Sequence, residues 1–128
     1  MEIFKTKQFA RWAEGIRLSD AALLGAVEEM SRGLVDANLG GHVFKKRVAV
    51  GGRGKSGGVR TLVAYRVEDK AFFVYGFAKN ARANISPGEL HGLKRLAVEL
   101  LGYSKAELNR AVRTGALIEV VNDEEIDS

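Results

Sequence analysis

The chain has 128 residues, a formal net charge of +4, 46% hydrophobic residues and no cysteine, which supports one domain with a modest core and leaves little room for a second. The absence of cysteine excludes a disulfide framework, a thiolate zinc site and a thiol nucleophile, and two histidines far apart in sequence argue against a histidine-rich metal site. No apolar run reaches bilayer-spanning length and Met1 to Lys5 lacks a secretory pattern, so a soluble, cytoplasmic protein with an acidic partner is expected.

Glu2 to Phe4 reads as a short opening strand. From Thr6 to Glu14, Phe9, Trp12 and Ala13 fall at helical spacing, and Leu18, Leu23, Leu24, Val27, Met30 and Leu34 continue the pattern after a break near Gly15, which predicts a helical hairpin. Ser19 is the expected N-cap of its second arm, with Asp20 favourably placed in the first turn. Trp12 and Met30 read as core. A turn-rich passage from Val35 to Gly41 leads to a predicted strand at Val43 to Ala49. Two further strands, Val59 to Val67 and Ala71 to Phe77, flank a tight turn at Glu68-Asp69-Lys70, the three forming an antiparallel meander. On the middle strand Arg60, Leu62, Ala64 and Arg66 share one face.

Ser86-Pro87-Gly88-Glu89 is a strong helix start, with serine at the cap, proline first and glutamate third. Leu90, Leu93, Leu96, Ala97, Leu100 and Leu101 give that helix its apolar face, and Gly102 ends it. Ser104-Lys105-Ala106-Glu107 predicts a second capped helix through Val112, stopped near Gly115, and Leu117 to Val121 a last strand. The tail after Glu119 is acidic and carries no basic residue. It reads as a solvated end or as a segment folded over a basic surface.

Between Val43 and Arg66 the chain carries Lys45, Lys46, Arg47, Arg53, Lys55, Arg60 and Arg66 with no Asp or Glu. Such a stretch offers a positive surface to a phosphate backbone. Gly54-Lys55-Ser56 imitates the end of a phosphate-binding loop, but Ala49 stands where that motif requires its first glycine, and a strand rather than a helix follows. Together with Lys79 and Arg82 these cations could converge at one sheet edge. RNA can be cut without a metal when one group takes the 2′-hydroxyl proton and others stabilise the phosphate. Lys79, Lys55 and Lys46 are the candidate bases, and Arg60 and Arg82 the candidate phosphate clamps. Each has a plainer reading, as a solvated loop cation or, for Arg60, a partner of a carboxylate. His42 reads as a loop or strand-edge residue, His91 as a helix-surface or packing residue, and Tyr65 and Tyr75 as sheet packing.

At Gly52-Arg53-Gly54-Lys55-Ser56-Gly57-Gly58-Val59-Arg60, then Tyr65 and Phe77-Ala78-Lys79-Asn80, the chain resembles the RelE/ParE toxin superfamily, particularly its HigB-like branch. The likeness in organisation runs over about Met1 to Leu101. It implies an α+β RelE-like domain across residues 1–128, a helical hairpin packed on a small antiparallel sheet, with 103–128 as a C-terminal extension. It also implies a bacterial type II toxin that cuts messenger RNA in the ribosomal A site, without cofactor or metal, and is held in check by a cognate antitoxin protein. On this sequence the resemblance places Arg60 on the scissile phosphate, with Lys79, Arg82 and Lys55 as further catalytic residues. Lys45, Lys46, Arg47, Arg53, Arg66 and Asn80 are then contacts to RNA. Better-known RelE-like enzymes have an arginine and a tyrosine where this chain has Asn80 and Ser86. Two other readings are a non-enzymatic toxin that binds a topoisomerase or another protein target, and an RNA-binding or degenerate regulatory module.

Overall fold

The computed structural model describes residues 1–51 and 58–121. The predicted glycine-loop cations Arg53 and Lys55, and the acidic tail from Asn122 onward, lie outside the described residues. In chain order the elements are β1 (Glu2–Thr6), α1 (Lys7–Gly15), α2 (Asp20–Ser31), β2 (Ala37–Asn38), β3 (Val43–Val48), β4 (Val59–Arg66), β5 (Lys70–Ala78), α3 (Pro87–Leu101), α4 (Lys105–Thr114) and β6 (Leu117–Glu119). The helix starts follow their caps. Thr6 and Ser19 accept from the backbone N–H of Phe9 and Ala22, and Ser86 and Ser104 form full capping boxes with Glu89 and Glu107. Each such cap is worth about 1 kcal/mol. Gly115 ends α4 at φ +83, a left-handed conformation that glycine adopts without a Cβ penalty.

The strands form one sheet in the order β2-β3-β4-β5-β1-β6. β3, β4 and β5 make the expected antiparallel meander, whereas β1 runs parallel to β5, so the sheet is mixed rather than purely antiparallel. The chain leaves β1 through the hairpin, re-enters at the β2 edge and returns three strands later in the direction in which it left. β6 then pairs antiparallel with β1, so both edge strands are only two or three residues long, a length that limits edge-to-edge association.

Both faces of the sheet are covered. On one, Phe9, Ala13, Leu23, Val27 and Met30 of the hairpin pack on Val59, Val63, Tyr65 and Phe73. On the other, Ala97, Leu100 and Leu101 of α3 and Leu108 of α4 pack on Phe4, Val43, Leu62, Ala64 and Phe72. The shared face of β4 is therefore divided. Leu62 and Ala64 are fully buried beneath α3, while Arg60 and Arg66 stand at the two ends of its footprint.

A register shift in β5 decides what lies beside Arg60. Phe73 pairs with Val63 and Tyr75 with Leu62, leaving Val74 as an extra residue between them. Strict alternation from Phe73, which faces the hairpin, would send Tyr75 and Phe77 to the hairpin side as well. The bulge moves both to the α3 side and turns Gly76 toward the hairpin, where it lies under the Trp12 ring.

Candidate functional site

At the end of the sheet where β3 stops and β4 begins, two cross-strand rows lie on the α3 face. Arg47, Arg60 and Phe77 are in register in the outer row, and Lys45, Leu62 and Tyr75 in the next. Lys79 and Asn80 are exposed immediately beyond β5, whose last residue, Ala78, pairs with Val59. Arg60 and Lys79 therefore share one end of the sheet. Among the described residues Lys45, Arg60 and Lys79 have no carboxylate partner. Arg47 is only loosely paired, its Nη2 3.7 Å from Asp36 Oδ1 with both side chains well exposed. A surface with this charge and little internal neutralisation retains its attraction for an anion.

Arg82 occupies a different position. Its Nη1 and Nη2 donate to the two carboxylate oxygens of Glu89 at 2.9 and 2.6 Å, its Nε donates to Asn84 O, and Nη1 also donates to the Tyr75 hydroxyl at 3.0 Å. The guanidinium lies 5.9 Å from the centre of the Phe77 ring. So engaged, it ties the turn after β5 to the first turn of α3 and presents little unpaired charge to a substrate. The Arg82 hydrogen bonds are the main reason that the Glu89 carboxyl is held at about 2, with the Ser86 backbone N–H and hydroxyl adding to the effect. The pairing raises the Arg82 value in turn.

A carboxylate depressed on folding stabilises the native state fully above its unfolded value and loses that contribution as pH falls through the folded one. The first turn of α3 should thus be insensitive to pH near neutrality and loosen between the ordinary 4.5 and about 2. Amide hydrogen exchange at Glu89 and Leu90 measures this. Unchanged protection down to pH 2 contradicts it.

Two other predicted contacts lie elsewhere. Lys46 points to the opposite face, 3% exposed, with Nζ 2.7 Å from Glu29 Oε1 and donating to Leu34 O at 2.9 Å. It fastens the hairpin and the segment after it to β3 and is not part of the cation cluster. Lys46→Met, which keeps the apolar stem, should cost about 1–3 kcal/mol in denaturant unfolding, the range for losing hydrogen bonds to a charged group. Arg66 bonds Asp69 and the Leu101 carbonyl at the C-terminal end of α3. At the usual rise along a strand it is about 20 Å from Arg60. Periodicity gave no sign of the pairing between Arg82 and Glu89, which spans a turn and a helix cap, nor of the hydroxyl contact at Tyr75.

Residues 1–120 match the family model described as the RelE toxin of the RelE / RelB toxin-antitoxin system. The matched range continues through α4 and β6 to Val120. A search of curated proteins finds no significant match.

Proposed function

Since this chain belongs to the RelE toxin family of toxin-antitoxin systems, we propose that it is a ribosome-dependent messenger-RNA endonuclease of the HigB-like branch, acting in the A site until a cognate antitoxin binds it. The observation that carries this reading is the end of the sheet itself, where Arg60 lies between Arg47 and Phe77 without a carboxylate partner among the described residues and Lys79 closes the same end. A phosphodiester held there is oriented by the planar donor array of Arg60. The 2′-hydroxyl oxygen attacks the neighbouring phosphorus, the bond from phosphorus to the 5′ oxygen breaks, and the products are a 2′,3′-cyclic phosphate and a 5′-hydroxyl. Cationic donors already in place lower the barrier because negative charge accumulates on the phosphate oxygens in the transition state. Lys79 and Lys55 are the proton-transfer candidates, and Lys45, Arg47 and Asn80 guide the flanking strand.

The test is inducible expression with mapping of transcript 5′ ends, followed by the purified protein on ribosomes programmed with a short message. New 5′-hydroxyl ends within the A-site codon are expected, and co-expression of the antitoxin should suppress them. A folded protein that leaves messages intact on and off the ribosome rules the reading out.

A further inference from the structure

We propose that Tyr75 contacts the scissile phosphate, its phenolic O–H donating to a non-bridging oxygen of the phosphodiester held by Arg60, and that Arg82 is the positioning residue that aims it. The inference rests on the RNA-cleaving reading of this site and adds a substrate contact to it.

The bulge at Val74 places the Tyr75 side chain on the Arg60 face. Tyr75 is opposite Leu62 and so is the diagonal neighbour of Arg60, with Cβ atoms roughly 7 Å apart, close enough for two long side chains to reach one phosphate group. The ring is half-buried against the apolar cluster beneath α3, which restricts its rotation. The hydroxyl oxygen accepts from Arg82 Nη1 at 3.0 Å. Its own proton must then point away from the guanidinium, and no acceptor for it is present among the described residues. Arg82 is held by Glu89 through two hydrogen bonds, so it orients the phenol without needing to bind the substrate. Tyr65 is a useful contrast. It lies on the hairpin side of β4, and its buried hydroxyl has no hydrogen-bond partner among the described residues.

The experiment compares the full-length protein with Tyr75→Phe, Tyr65→Phe, Arg82→Lys and the double variant Tyr75→Phe/Arg82→Lys. Three quantities are measured: cleavage on programmed ribosomes, affinity for a fully 2′-O-methylated RNA oligonucleotide that cannot be cut, and the thermal midpoint. Loss of one hydrogen bond to a charged oxygen should weaken oligonucleotide binding and slow cleavage by about tenfold or more in Tyr75→Phe, with the midpoint lowered by no more than about a few degrees because Arg82 keeps both hydrogen bonds to Glu89, while Tyr65→Phe keeps binding and cleavage. Arg82→Lys retains a charge for Glu89 but lacks the fork that reaches the phenol. Its loss should match that of Tyr75→Phe, and the double variant should be no worse than either single variant.

The proposal is overturned if Tyr75→Phe binds and cleaves like the parent, if its losses track a lowered midpoint, or if the two single losses multiply. Should the parent bind the methylated RNA in a Tyr75-dependent way yet cut nothing, the nuclease reading fails and the phosphate contact stands. A parent that neither binds nor cuts overturns both.

Discussion

Arg60→Ala is expected to lower transcript cleavage by about 10²–10³-fold, the range for removing one preorganised donor from a developing negative charge. The same change should leave stability within about 0.5 kcal/mol of the parent, because it opens no cavity in the core and breaks no buried ion pair among the described residues. The α3 footprint ends over Leu62 and Ala64, Arg60 is only partly buried, and no carboxylate among the described residues is orphaned by its removal. Arg60→Lys separates charge from geometry. It keeps the positive group and loses the planar fork, so an intermediate rate is expected. Binding of uncleavable RNA should also become less salt-dependent, with the slope reduced by about one counterion. If Arg60→Ala cuts messages within threefold of the parent while folded, the centre of the site is elsewhere.

The elements were legible because their signals are local. Ser19, Ser86 and Ser104 mark helix starts by a hydrogen bond reaching three residues ahead, and each is the cap in the structure. The alternation of Arg60, Leu62, Ala64 and Arg66 gave their common face. It did not show that α3 would cover the middle pair and leave each arginine at a different end. Three consecutive cations, Lys45 to Arg47, read as one patch by composition. A period of two must turn the middle one away, and Lys46 is accordingly the one that pairs with Glu29 across the other face. The site depends most on features without a local signature. One extra residue at Val74 changes which side Tyr75 and Phe77 occupy, and the parallel pairing of β1 with β5 is settled only when the whole chain has folded. Arg82 looked like a phosphate clamp because its charge is visible in sequence, whereas the carboxylate that holds it is recognisable there only as a helix cap.

Gly76→Ala tests the bulge from its other side and should be strongly destabilising. A Cβ added at Gly76 would lie 2.1 Å from Cζ3 and 2.4 Å from Cη2 of Trp12, far inside van der Waals contact. The indole has little freedom to retreat, since it packs on Phe9 at a centroid distance of 5.4 Å and Phe9 packs on Phe73 at the same distance. Relief requires lifting α1 from the sheet or pushing β5 away from it. Overpacking of this kind costs about 3 kcal/mol. For a chain of this size that lowers the thermal midpoint by on the order of 10 °C. Trp12→Leu in the Gly76→Ala background should recover part of the loss, because the two changes share one contact and are not additive. The neighbours of Gly76 in sequence are Tyr75 and Phe77, whose side chains lie on the Arg60 face. A shift of β5 away from α1 therefore displaces the tyrosine hydroxyl from Arg82 and disturbs the row containing Arg60. Cleavage should fall in Gly76→Ala even at temperatures where the protein remains folded, and the Trp12→Leu second change should restore it partly. A Gly76→Ala protein that melts within two degrees of the parent would mean that Trp12 can yield without moving the strand, and the coupling of the two sheet faces through the bulge would then be absent.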